Sequence, residues 1–151
     1  ASIAALLAEE QLDGRLAIAP EMIVTTSEVR TAEMSGRIRA AWGHAPFDCY
    51  ASTETGILAG ECERHTGLHV FSDQTLLEVM DESGRPVPAG VEGHHLLVTN
   101  LVNRMQPLIR YQLTDRVTML EEACPCGRPF PLLAAVDGRS DDLLKLRTAA
   151  S

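Results

Sequence analysis

The chain has 151 residues, 45% hydrophobic and 23% charged, with 13 basic and 21 acidic side chains giving a net charge of −8. That length supports one well-buried core, or two small subdomains sharing an interface. The balance excludes several classes: the scattered cations make no phosphate-binding surface for nucleic acid, no apolar run is long enough for a membrane span, and the opening ASIAALLAEE lacks the basic-then-apolar order of an export signal, so the expected compartment is cytoplasmic.

In chain order, Ala1 to Gln11 has helical composition with Ile3, Leu6 and Leu7 apolar, and Gly14 stands where a helix can stop. Leu16 to Thr25 reads as extended, interrupted by Pro20, with Met22, Ile23 and Val24 as a buried strand ending in the polar turn Thr25-Thr26-Ser27. Thr31 is placed to cap a second helix running to Trp42, with Gly43 after it, and Phe47 to Ala51 forms the next strand. This alternation predicts part of an α/β sheet. After about residue 60 short apolar runs are divided by Gly, Pro, Asp and Asn. Val70–Phe71 and Leu76–Met80 form one pair of runs and His95–Asn100 another, with further strands at Leu108–Gln112 and Val117–Leu120. The fold class is therefore α/β: a partial α/β sheet layer followed by a small antiparallel β subdomain.

The turn DCYASTETG, residues 48–56, crowds a ring, several hydroxyls and a carboxylate into one place. Taken alone, Ser52 and Thr53 could simply satisfy backbone groups at a strand end, with Glu54 in solvent and Tyr50 a core ring. Two further stretches accompany it, PLIRYQLTDRV at 107–117 and DGRSDDLLKL at 137–146. In order, the three resemble successive signatures of the adenylate-forming superfamily of acyl-CoA synthetases and ligases. The segments ECERHTGLHVFSDQTLLEV at 61–79, DESGRPVPAGVEGHHLLVTNL at 81–101 and CPCGR at 124–128 are similar to its phenylacetate-CoA ligase branch.

The resemblance implies an AMP-forming acid–thiol ligase, which joins a carboxylic acid to ATP as an acyl-adenylate and then transfers the acyl group to a thiol, usually coenzyme A, with a carrier protein as the other acceptor. It implies a nucleotide site of Tyr50, Ala51, Ser52, Thr53, Glu54, Asp115 and Arg139. Tyr50 would lie against adenine, Thr53 would contact phosphate, and Glu54 would help hold Mg²⁺, with Thr53 and Glu54 the catalytic pair. Asp115 would accept the ribose hydroxyls, Arg139 would reach ribose or phosphate, and Asp141 would be the hinge. On this reading residues 1–58 end the α/β nucleotide-binding subdomain, 59–135 form the β-rich subdomain, and 136–151 lead to a further domain. Two positions depart from the family: Ala51 replaces a usual Gly, and Leu113-Thr114-Asp115 replaces the commoner Thr-Gly-Asp. The sequence contains neither a Gly/Ser/Thr-rich phosphate loop with its lysine nor the catalytic lysine of the C-terminal domain. It is expected to be a fragment without ligase activity of its own, whose uncovered apolar surface favours self-association.

Cys124-Pro125-Cys126-Gly127 sets two thiols one residue apart on a tight turn, half of a tetrahedral zinc site. Cys62 and His69, spaced C-x₆-H, could supply the other half, with His65 as the competing imidazole. Cys and His at matching places in the resembling branch, some of whose members carry zinc, imply a structural Zn²⁺. Cys49 is read as a small buried residue. A second reading keeps the zinc and drops the nucleotide: an α/β module that binds a protein partner and catalyses nothing.

Overall fold

The computed structural model describes residues 1–139, so the expected hinge Asp141 lies outside the described residues. Helix α1 (Ser2–Leu12) ends just before Gly14, whose φ of +73° takes the left-handed turn. Helix α2 (Ala32–Trp42) has the predicted caps: the Thr31 side chain accepts from the Met34 amide at 3.1 Å, and Gly43, at φ +82°, donates its amide to the Arg39 carbonyl at 2.8 Å. The two helices pack together, burying Ala5, Ala8 and Ile38. Ile3, Leu6, Leu7 and Leu12 stay exposed, because α1 meets α2 through its small alanines.

Helix α2 is the crossover between β1 (Val24–Thr26) and β2 (Phe47–Ser52), which pair in parallel. The chain then turns back through β3 (Gly56–Glu61) and β4 (Leu68–Val70). It continues through β5 (Thr75–Met80), β6 (His95–Asn100), β7 (Tyr111–Leu113), β8 (Asp115–Met119) and β9 (Leu132–Arg139). One sheet has the order β1-β2-β3-β4-β9-β8, and a small antiparallel sheet has the order β5-β6-β7. A single core joins them: Leu58, Val70, Val117 and Leu133 from the first pack with Val79, Leu96, Val98 and Leu113 from the second. Among the described residues no helix is long and apolar enough to cross a membrane.

Three expectations are corrected. The first strand is Val24–Thr26, and its buried residue is Thr25, while Met22 and Val24 are 66% and 52% exposed. Among the described residues β1 is an edge strand paired only with β2, so only one side is covered. The runs Val70–Phe71 and Leu76–Met80 are not partners: β4 pairs with β3 and β9, and β5 pairs with β6. Leu132–Arg139, assigned to no strand from the sequence, is the longest strand and links β4 to β8.

Candidate functional site

The turn leaving β2 is built by its own hydroxyls. Ser52 Oγ lies 2.7 Å from Thr55 Oγ1 and accepts the Thr55 amide at 3.2 Å, while Gly56 takes φ +76° to start β3. These bonds leave Thr53 and Glu54 exposed at the tip. The β2–β3 register slips between Tyr50 and Ala51, a bulge that re-aims the side chains just before the turn.

Tyr50, 9% exposed, donates its hydroxyl to Asp115 Oδ2 at 2.9 Å. Burial first, and then the Asp115 charge, push the Tyr50 phenol far above its ordinary value, so it remains a donor at neutral pH. Asp115 opens β8 and pairs with Arg139 at the end of β9. Arg139 Nε in turn donates to Thr114 Oγ1 at 3.0 Å. Tyr50, Ala51, Asp115, Gly138 and Arg139 line one cleft of about 360 Å³, closed on the other side by Ser27, Glu28, Val29 and Arg30. The cleft thus includes the loop that leaves the carboxyl end of β1, beside its parallel partner β2; such strand ends are where open α/β sheets receive ligands.

A second cluster lies across the same large sheet. Cys62 follows β3, His69 sits in β4, and Cys124 and Cys126 lie in the loop between β8 and β9; their ligand atoms all fall within 4.8 Å of one another. Cys62 Sγ is 3.6 Å from Cys124 Sγ, and Cys126 Sγ is 3.4 Å from His69 Nε2. The first distance is far beyond a disulfide bond. Both approach the edges of a tetrahedron around zinc, about 3.8 Å for two sulfurs and about 3.5 Å for sulfur and nitrogen at normal bond lengths. The Thr66 hydroxyl, 3.4 Å from Cys124 Sγ, draws that thiol down to about 6, whereas burial pushes Cys62 up. His69 is 2% exposed and its Nδ1 has no hydrogen-bond partner. A buried imidazole whose other nitrogen faces only a weakly bonding thiol is poorly satisfied by protein groups alone, and the donor set suits a soft cation. His65 is outside the cluster: it stacks on Phe47 at 5.0 Å, with Nδ1 3.2 Å from Glu61 Oε2.

No family model matches the chain. Three phenylacetate-coenzyme A ligases do, and that of Thermus thermophilus is 38% identical over 92 residues, covering 60% of this chain and 20% of the relative. That of Aromatoleum evansii is 32% identical over 126 residues, covering 80% of this chain and 28% of the relative. A solved 2-hydroxyisobutyryl-CoA ligase, in complex with 2-HIB-AMP and CoA, superposes with a TM-score of 0.82 at 28% identity, over 97% of this chain and 36% of that one. The chain belongs to the adenylate-forming superfamily. It spans between a fifth and three-tenths of the length of these curated relatives.

The structure gathers Tyr50, Ala51, Asp115 and Arg139 into one cleft and leaves Ser52, Thr53 and Glu54 outside its lining. Sequence reasoning missed Ser27, Glu28, Val29 and Arg30. The signal was the polar turn after β1, where Ser27 takes φ +67°. Arg30 is anchored by the Pro46 carbonyl and by Glu61 Oε1, the latter at 2.9 Å, and Glu61 Oε2 also accepts the Asp48 amide at 2.7 Å. Arg30 and Glu61, 15% and 8% exposed, thus tie the α2-side wall of the cleft to the strand leading into Cys62.

Proposed function

We propose that the chain forms the nucleotide-facing part of an ATP-dependent carboxylate–CoA ligase, which makes an acyl-adenylate and then a thioester. The observation that carries this reading is the meeting of Tyr50, Asp115 and Arg139, from three strands, in one cleft. The Tyr50 ring gives adenine a rigid aromatic neighbour, while Asp115 offers carboxylate oxygens to the ribose hydroxyls. Arg139 brings a permanent positive charge toward ribose or phosphate. At the exposed turn, Ala51 and Ser52 set the backbone, Thr53 offers a hydroxyl to phosphate, and Glu54 would hold Mg²⁺ carried in by the nucleotide.

Titration of the chain with AMP tests this, with NMR shifts expected at Tyr50 and Asp115. Asp115→Ala should weaken binding by about tenfold or more, the size of a lost hydrogen bond to a charged group. Binding indifferent to Asp115 contradicts the reading. ATP–pyrophosphate exchange by the chain alone should be undetectable: its one lysine is Lys145, and no Gly/Ser/Thr-rich phosphate loop is present to stabilise the charge that develops as pyrophosphate leaves.

We also propose that Cys62, His69, Cys124 and Cys126 hold a structural Zn²⁺. The ion, when bound, supplies a cross-link between the β3–β4 hairpin and the β8–β9 loop. Four protein ligands complete its tetrahedron and leave no position for substrate, so its role is to hold these segments together.

A further inference from the structure

We infer that Thr114 is a positioning residue, whose hydroxyl holds the Arg139 guanidinium beside Asp115 and so gives the cleft its preference for ligands that carry a phosphate. The inference rests on the nucleotide reading above and adds to it a residue at which the chain departs from the pattern it resembles. A glycine at this position has no side chain to offer; here Thr114 Oγ1 accepts from Arg139 Nε at 3.0 Å.

The surroundings fix both partners. Thr114 is half-buried between Leu113, buried in the core, and Asp115, whose carboxylate is engaged by Tyr50. Its β-branched side chain has few rotamers, so the oxygen is well placed. Across the β8–β9 ladder Asp115 is the register partner of Arg139, which brings the root of the arginine side chain next to the strand that Thr114 leads into. The arginine is exposed, and its bond to Thr114 Oγ1 limits the rotamers open to it. Burial and the Asp115 charge raise the Tyr50 phenol while the Arg139 charge pulls it the other way, which places the guanidinium close to the Tyr50–Asp115 pair.

The consequence is preorganisation. A guanidinium tethered through Nε has its plane set before a ligand arrives, and a set plane favours the two-point geometry with which arginine meets phosphate oxygens. Ordering already completed in the empty protein need not be met from binding energy. Thr114 therefore acts on the charged end of the ligand, through Arg139, and leaves the base and sugar contacts untouched.

The test compares AMP with adenosine on the native chain and on Thr114→Val, which keeps the shape of the side chain and removes the acceptor. AMP binding should weaken by about five- to tenfold, the scale of one net hydrogen bond, while adenosine binding stays unchanged and Thr114→Ser restores AMP binding. The Arg139 Nε–H signal should shift in Thr114→Val and return in Thr114→Ser. Should the valine chain fail to fold, Thr114→Gly removes the same oxygen and is read in the same way. Equal loss of AMP and adenosine, or AMP binding that ignores Thr114 while depending on Asp115, overturns this inference and spares the nucleotide reading. A native chain that binds neither ligand overturns the nucleotide reading and this inference with it.

Discussion

Cys62→Ser should cost the chain its zinc and lower its melting temperature by roughly 8–16 °C. The size follows from linkage: an ion present at about a thousand times its dissociation constant adds about 4 kcal/mol to the folded state, and each kcal/mol moves a chain of this length by about 2–4 °C. Three of the four residues of the cluster are buried, and the contacts between their donor atoms, 3.6 Å for Cys62–Cys124 and 3.4 Å for Cys126–His69, involve weakly hydrogen-bonding thiols. Without the ion the His69 ring sits 2% exposed with Nε2 facing only the Cys126 thiol at 3.4 Å, a weak partner for a buried nitrogen. A strong chelator should reproduce the shift in the native chain and have no further effect on Cys62→Ser. Cys49→Ser, outside the cluster, should keep one zinc per chain within error of about 10%, since a tetrahedral site is either complete or lost. Identical melting with and without chelator, or zinc content unaffected by Cys62→Ser, removes the metal from the account.

The same cluster shows what the sequence makes legible and what it does not. Helix α2 is readable at both ends because Thr31 and Gly43 are residue types chosen by local backbone needs, and the structure uses them for those needs. Cys62, His69, Cys124 and Cys126 are readable because three thiols and an imidazole at such spacings have few other uses. Strand partners are different. That β4 joins β9 and not β5 depends on which apolar faces meet over long loops, information carried by no single residue. Burial at the sheet edge has the same character: Met22 and Val24 are apolar by sequence yet exposed, because nothing among the described residues covers that side of β1. In the cleft, Tyr50, Asp115 and Arg139 announce themselves through motifs. Ser27 to Arg30 do not, since their contribution is the position of a loop at the end of a parallel strand.

Gly67→Ala tests how tightly the hairpin that carries Cys62 and His69 is pressed against the rest of the sheet, and the expected loss is on the order of 2–5 kcal/mol. Gly67 has φ +153°, and a Cβ there would sit 2.6 Å from the Leu133 carbonyl oxygen and 3.2 Å from Leu120 Cδ1. The leucine side chain can yield, but the carbonyl belongs to β9, whose Leu133 pairs with Leu68 and is itself fully buried. Relief therefore means moving a central strand, and overpacking of that kind costs about 1–3 kcal/mol, to which a left-sided backbone adds about 1–2 kcal/mol. Gly84→Ala separates the two contributions: Gly84 has φ +75° but no atom within 4 Å of its would-be Cβ, so only the backbone cost should appear. Denaturant midpoints for the two variants should differ by the collision alone. The adjacent Thr66 hydroxyl lies against Cys124 Sγ, so displacement at position 67 should also weaken zinc retention, whereas Gly84→Ala should leave it as it is. Equal midpoints and equal zinc retention would mean that the hairpin rides freely over β9, and the pressed-sheet account of the metal centre would then fail.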